Sequence, residues 1–175
     1  MCCTAYSGQL YNVQETFGKP LHPTWTGTAR RRVTLGDVIE SVELAEIHQL
    51  IGSYGRAIDT GNWEACGRLF TADAVIEYQA STGTILLEGV DAIVEWFGGA
   101  THPASHYLTN VVVDRSGEAD RGITVWSKLL APFVTTDPQR VFGGDYTDTV
   151  VRTADGWRFA RKEFAGGWSL TLPRA

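Results

Sequence analysis

The chain of 175 residues carries 15 basic and 20 acidic side chains, which give a formal net charge of −5 and a pI near 5.3. This length suits one domain with a sizeable core, and the 43% hydrophobic content is ordinary for a globular protein. The acidic balance argues against a nucleic-acid binder, which normally presents a basic face. No window approaches the roughly 18 apolar residues that a membrane span needs, so we expect neither nucleic acid nor membrane as a partner.

The cysteines and the N-terminal residues indicate a reducing compartment. Cys2, Cys3 and Cys66 show no metal or redox spacing, and an odd number of cysteines suits the cytoplasm. No apolar stretch of signal-peptide length occurs near the N-terminus. The basic run 30–32 precedes a predicted helix and is expected to be a solvated patch, and the acidic residues that follow it exclude an export core. We therefore expect a cytoplasmic protein.

The first half of the chain is predicted to be mainly helical. Residues 1–37 lack a sustained period and are expected to form an N-terminal arm, which either wraps the domain formed by residues 38–175 or stays mobile. From Ser41, the expected N-cap, apolar residues recur at three- and four-residue steps and predict a helix that ends at Thr60-Gly61-Asn62. The elements predicted next are a short helix at 63–70, strands at 74–78 and 84–88, and a helix at 92–97 capped by Asp91.

The second half is predicted to be a sheet. Strands are expected at 106–114, 121–133, 141–152 and 157–164, with a last piece at 168–172. Asp155-Gly156 lies between two of them and is a strong hairpin signal. Helices followed by antiparallel strands are typical of the α+β class.

A few residues are candidates for chemistry. Asp59 lies at the C-terminal end of the first predicted helix, where the helix dipole disfavours a carboxylate. It either closes the turn that follows or pairs with a partner such as a histidine. Each of the histidines 22, 48, 102 and 106 is, taken alone, more typical of a structural role. Tyr54 lies on the apolar stripe of the helix and belongs either to the core or to a cavity wall.

Six segments occur in a distinctive order: Tyr54–Trp63, Leu69–Ala74, Gly89–Ile93, His106–Asn110, Tyr146–Asp148 and Asp155–Arg161. In this order and spacing they resemble the SnoaL-like branch of the nuclear-transport-factor-2-like superfamily, over roughly residues 38–168. That branch includes scytalone dehydratase, bile-acid dehydratases and a dehydrochlorinase. The resemblance implies a cone-shaped α+β barrel, with a curved, mixed but mostly antiparallel sheet wrapped around the N-terminal helices.

The resemblance also implies a set of site residues. In the dehydratases an aspartate at the end of the first helix bonds a histidine that acts as base, and Asp59 and His106 match these positions. Tyr54 matches a further catalytic position. The substrate-binding residues expected are Tyr78, Asn110, Trp126, Tyr146 and Lys162. Side chains alternate along a strand, so only one of Arg161 and Lys162 is expected to reach the cavity, and the resemblance favours Lys162, which matches a pocket arginine of the dehydrochlorinase.

The activity that the resemblance implies is a cofactor-independent, dehydratase-type elimination on a small hydrophobic ring-containing substrate. The chain departs from the bile-acid dehydratases, because the strand after the histidine lacks their second acid; Asp148 is a candidate replacement. The alternatives are an isomerase or polyketide-type cyclase with the same base, a non-catalytic small-molecule-binding module, and the beta subunit of a ring-hydroxylating dioxygenase. We expect no metal or cofactor, and a homo-oligomer, either dimer or trimer.

Overall fold

The computed structural model describes residues 13–14, 39–80, 83–115, 122–135 and 137–172. Of the arm predicted at 1–37, only residues 13 and 14 are among the described residues. Cys2, Cys3, His22 and the basic run 30–32 lie outside them. The elements in chain order are β1 (Val13–Gln14), α1 (Ser41–Asp59), α2 (Trp63–Gly67), β2 (Phe70–Ala80), β3 (Gly83–Glu88), α3 (Val90–Gly99), β4 (Tyr107–Asp114), β5 (Ile123–Phe133), β6 (Arg140–Thr153) and β7 (Gly156–Thr171).

Helix α1 forms where the apolar period predicts it, but its N-cap is one residue earlier than expected. Glu40 rather than Ser41 is the cap, and Glu43 completes a capping box by accepting from the Glu40 backbone N–H. The buried face includes Ile47, Leu50 and Tyr54. This face packs against the concave side of the sheet, which explains why a helix with a polar outer face is stable.

The two shorter helices also differ from the prediction at their ends. Helix α2 stops at Gly67, because the chain then enters β2 at Phe70, several residues earlier than the sequence pattern indicated. Helix α3 begins at Val90 with Gly89 as N-cap, so Asp91 lies in the first turn instead of capping it. A carboxylate in the first turn still interacts favourably with the helix dipole.

The strands form one mixed sheet in the order β3-β2-β7-β6-β5-β4. Strands β2 and β7 pair in parallel, and every other pair is antiparallel, including β1 with β7. Among the described residues β3 and β4 remain separate edges, so the sheet is open and does not close into a barrel. Strand β7 is continuous where two pieces were predicted, since its Gly166-Gly167 segment stays within the strand.

Alternation along the strands sorts side chains onto two faces of the sheet. On β5, Val125 and Leu129 are buried while Trp126 and Leu130 each keep 40% of their surface exposed. Buried side chains of β5, β6 and β7 such as Val125, Val150 and Phe159 share a core with those of α1 and α3, and a second cluster comprises Leu129, Ala131, Tyr146 and Phe164. None of the described helices combines the length and apolarity that a membrane span requires.

Glycines in β6 make room for aromatic rings of β7. A Cβ at Gly144 would overlap the buried Phe164 ring, and one at Gly143 would overlap the ring of Trp168. Both glycines are buried, and a Cβ at either would lie less than 3.0 Å from the ring, so the ring or the backbone would have to shift. Glycine here serves close packing between adjacent strands.

We predict that Gly144→Ala lowers the free energy of unfolding by about 1–3 kcal/mol, because the added methyl group overpacks the core. Gly52→Ala is the matched control, since nothing lies within 4 Å of a Cβ at this exposed helical position. It should raise stability by about 0.5–1 kcal/mol through helix propensity. Urea unfolding followed by tryptophan fluorescence measures both. Equal stability of the two variants would contradict the packing argument.

Candidate functional site

A cavity of about 350 Å³ lies between the concave face of the sheet and helices α1 and α3. Its walls are mainly aromatic and aliphatic, and they include Trp96, Phe97, Phe133, Phe142 and Phe164. The polar groups on the wall are few, and the main ones are Tyr54, Tyr78, Tyr146, His102 and His106. An apolar chamber with a small number of convergent polar groups is typical of a small-molecule site.

The side chain of Asp59 binds His106, the residue immediately before β4. Its Oδ1 lies 2.7 Å from His106 Nδ1, and the backbone N–H of His106 donates to both carboxylate oxygens at 3.0 and 3.1 Å. Asp59 is the last residue of α1, and the chain turns away from the helix at Gly61, which adopts a left-handed φ of 62°. Asp59 therefore pairs with the histidine instead of closing its own turn. These bonds offset the unfavourable position of a carboxylate at a helix C-terminus.

The environment of His106 keeps its imidazole neutral. Burial lowers the pKa of His106 below its usual range, although the bond to Asp59 and its charge raise it in part. The carboxylate accepts a hydrogen bond, so Nδ1 carries the proton and Nε2 keeps a lone pair. No described residue bonds Nε2, and His106 lines the cavity with 9% of its side chain exposed. A neutral imidazole of this tautomer can accept a proton.

Three tyrosines form a second polar group on the cavity wall. The hydroxyls of Tyr54 and Tyr78 lie 3.3 Å apart, and the Tyr146 ring packs edge-on to the Tyr54 ring with centroids 6.3 Å apart. Burial raises the pKa of all three hydroxyls well above the usual range, so they stay protonated. Tyr54 thus belongs to the core and the cavity at once. Protonated phenols are hydrogen-bond donors suited to an oxygen that gains charge.

Lys162 does not reach the cavity, contrary to the expectation from the resemblance. It points to the concave side, but Nζ is fully buried and donates to Asp148 Oδ2 at 2.7 Å. Nζ also lies 3.9 Å from the centre of the Tyr146 ring and 4.4 Å from that of Tyr54. The aromatic rings therefore separate the cation from the cavity. Asp148 is occupied by the same pair and is absent from the wall, so it does not replace the missing second acid there.

Two other expected binding residues lie away from the cavity. Trp126 is on the convex face of the sheet, because the inward positions of β5 on either side are Val125 and Ser127. Asn110 is exposed at an irregularity of β4, with a left-handed φ of 53°. Both corrections follow from strand alternation and register, which the sequence alone did not settle. Tyr78 and Tyr146 do line the cavity, as expected.

His102 is a wall residue that the sequence reasoning missed. Its Nε2 lies 2.7 Å from the carbonyl oxygen of Phe97, and its ring stacks obliquely on Trp63 with centroids 5.2 Å apart. The ring centroid is 6.4 Å from that of His106. The available signal was the spacing of two histidines four residues apart in the loop before a strand. In the part of the chain that the structure describes, no group of three or more His, Cys, Asp or Glu side chains is placed to hold a metal ion.

This fold and this pocket define an α+β domain of the nuclear-transport-factor-2-like type, with a small-molecule cavity under a curved sheet. The model of the SnoaL-like domain family matches residues 40–163, and the chain belongs to this family. An uncharacterized protein of Mycobacterium tuberculosis is 34% identical over 137 residues, which cover 71% of this chain and 86% of that protein.

Two solved structures from Novosphingobium aromaticivorans are similar. One is named for scytalone dehydratase (TM-score 0.60, 25% identity, covering 75% of this chain and 85% of that chain). The other is named for an aromatic ring hydroxylase (TM-score 0.61, 26% identity, covering 78% of this chain and 94% of that chain).

We predict that Lys162→Met costs about 3–5 kcal/mol of stability, because it leaves the Asp148 carboxylate buried without its cation. The double variant Lys162→Met/Asp148→Leu removes both charges and should recover most of that loss. Lys128→Met is the control, since both side chains of the Lys128–Asp145 pair are partly exposed and such a pair contributes at most about 1 kcal/mol. Urea unfolding measures all three. Additive losses in the double variant would show that the pair is not a coupled unit.

Proposed function

We propose that the protein is a cofactor-independent lyase that catalyses a dehydratase-type elimination on a small, hydrophobic, ring-containing molecule, with the Asp59–His106 dyad as general base. The observation that carries the proposal is the 2.7 Å bond between Asp59 Oδ1 and His106 Nδ1 at the wall of an apolar cavity. The bond holds the imidazole in the tautomer that presents Nε2 as a base.

His106 and Asp59 can carry out the elimination through two proton transfers. His106 Nε2 takes a proton from a substrate carbon, and the electron pair of that C–H bond forms the new C=C bond. The C–O bond on the neighbouring carbon breaks, and its electron pair stays on the departing oxygen. The imidazolium of His106 returns its proton to that oxygen, so water leaves and the base is restored. The Asp59 carboxylate stabilises the imidazolium that forms between the two transfers.

The tyrosines fit a role as donors to the substrate. If a carbonyl oxygen of the substrate gains charge when the proton is removed, the protonated hydroxyls of Tyr54, Tyr78 and Tyr146 are available to stabilise it. The low polarity of the surrounding wall strengthens such bonds. This arrangement would serve an enolate, and enolates are common in eliminations next to a carbonyl.

The substrate class is argued from the walls of the cavity. Aromatic and aliphatic side chains dominate it, and a volume of about 350 Å³ is suited to one or two fused rings. The names of the two structural relatives point the same way, one toward a dehydration and one toward an aromatic ring.

The decisive variant is His106→Gln, which removes the base but keeps a polar side chain of similar size. Purified protein is incubated with a panel of hydroxylated cyclic ketones, and products are followed by mass spectrometry. We expect loss of one water from a substrate, slowed about 10²–10⁴-fold in the variant. His48→Gln on the exposed face of α1 is the matched control and should keep full activity.

The other candidate functions give different results in that experiment. A product of unchanged mass would identify an isomerase or cyclase that uses the same base. Equal turnover by His106→Gln and the wild type would overturn the dyad as base. Ligand binding without turnover of any panel member would favour a binding module.

The pH dependence tests the state of the base without a substrate. Because burial lowers the pKa of His106, the midpoint of its ring titration should lie below pH 6.5. In Asp59→Asn the carboxylate no longer favours the cation, so the midpoint should move further to the acid side. NMR titration of the His106 ring protons measures both midpoints. A higher midpoint in the Asn variant would contradict this electrostatic account.

A further inference from the structure

We infer that His102 is a substrate-binding residue of the cavity, and that its Nδ1 accepts a hydrogen bond from a hydroxyl group on the substrate. This inference rests on the cavity being the substrate site proposed above. It adds one chemical requirement to the substrate class, namely a hydroxyl donor carried on the ring system.

The tautomer of His102 follows from its one polar contact. A backbone carbonyl oxygen can only accept, so Nε2, at 2.7 Å from the carbonyl oxygen of Phe97, must carry the proton. In the neutral ring Nδ1 then holds the lone pair and is an acceptor. No described residue bonds Nδ1. Among the described residues this nitrogen is not one of the fully buried polar atoms without a partner, so it retains accessible surface.

The position of the ring is well constrained. It stacks on Trp63 and lies against Phe97, with centroids 5.2 and 6.0 Å away. The loop that carries it is held by the Ala104 N–H, which donates to the Pro132 carbonyl oxygen at 2.8 Å, and by His106, which is bound to Asp59. An acceptor that is fixed before the ligand arrives loses little entropy on binding.

The two imidazoles have complementary arrangements. His106 is bonded to Asp59 through Nδ1, and no described residue bonds its Nε2. His102 is bonded to Phe97 through Nε2, and no described residue bonds its Nδ1. Their rings are 6.4 Å apart, centre to centre, on the same wall. A ligand hydroxyl held by His102 would therefore bring the neighbouring ring atoms close to the base. A role limited to capping the end of α3 would explain the bond to Phe97 but not an accessible acceptor on a mainly apolar wall.

The test compares 2-naphthol, 2-methoxynaphthalene and naphthalene as ligands of the full chain at pH 8, because only 2-naphthol can donate a hydrogen bond. We expect 2-naphthol to bind about two- to tenfold more tightly than the methyl ether, the range that one neutral hydrogen bond supports. The ¹⁵N resonance of His102 Nδ1 should shift with 2-naphthol only. The exposed His48 provides an internal reference that should not move.

Two variants separate binding from structure. His102→Phe keeps a ring beside Trp63 but has no acceptor, and it should bind 2-naphthol and its methyl ether equally. His102→Gln supplies a donor for the Phe97 carbonyl and an acceptor for the ligand, so it should regain part of the preference. If circular dichroism shows that His102→Phe does not fold, the ¹⁵N shift in the wild type and the ligand preference of His102→Gln still test whether Nδ1 accepts the hydrogen bond.

The inference is overturned if 2-naphthol causes no change at Nδ1, or if the preference for 2-naphthol persists in His102→Phe. Binding of all three ligands with equal affinity would also overturn it while leaving the proposed elimination intact, since His106 is tested separately by turnover. If none of the three ligands binds, both the hydroxyl subsite and the ring-containing substrate class are contradicted.

Discussion

The contact on which the site depends is the one between the end of α1 and the start of β4. A single carboxylate, that of Asp59, accepts both from the backbone N–H and from the ring Nδ1 of His106. The backbone bond holds the strand against the helix, and the ring bond sets the orientation of the imidazole. One carboxylate therefore fixes both the position of the strand and the orientation of the imidazole. A helix C-terminus is a poor place for a negative charge, and it is tolerated here because several donors converge on that charge.

Two bonded pairs of titratable groups lie at or beside the cavity, Lys162–Asp148 and Asp59–His106, and they differ in burial. Lys162 and Asp148 are both fully buried, and three aromatic rings surround the ammonium group. This pair is held by its own bond and by the rings, and neither side chain lines the cavity. Asp59 and His106 keep 25% and 9% of their side-chain surfaces exposed, and the imidazole faces the cavity. Of the two pairs, only Asp59–His106 has a side chain on the cavity wall.

The shape of the cavity is a consequence of packing between strands. Glycines at 143 and 144 allow Phe164 and Trp168 of β7 to lie against β6, and Phe164 forms part of the wall. Tyr54, Tyr78 and Tyr146 come from α1, β2 and β6, three elements far apart in the sequence. Their hydroxyls meet because the open, curved sheet brings β2 and β6 to either side of β7. The polar part of the wall is thus assembled by the topology.

Much of the fold was predictable from local pattern. The three-to-four-residue period identified α1, the alternation and the Asp-Gly turn identified the strands, and the order of motifs identified the SnoaL-like family. The pairing of Asp59 with His106 was also anticipated, since both residues stand in recognisable motifs. The ends of elements were less well predicted, because capping by Glu40 or Gly89 depends on local geometry that several residue types can satisfy.

What the sequence by itself determined was therefore the fold class and the order of the elements, because each has a short-range signature, whereas the pairing of Asp59 with His106 was predicted from the resemblance to the family. Only the tertiary structure decided which side chains reach the cavity. Lys162, Trp126 and Asn110 were assigned to it by motif position, yet an ion pair, strand alternation and an irregular turn in β4 direct them elsewhere. His102 was passed over and lies on the wall. The direction of a side chain depends on register and on neighbours distant in the chain, and no local pattern encodes either.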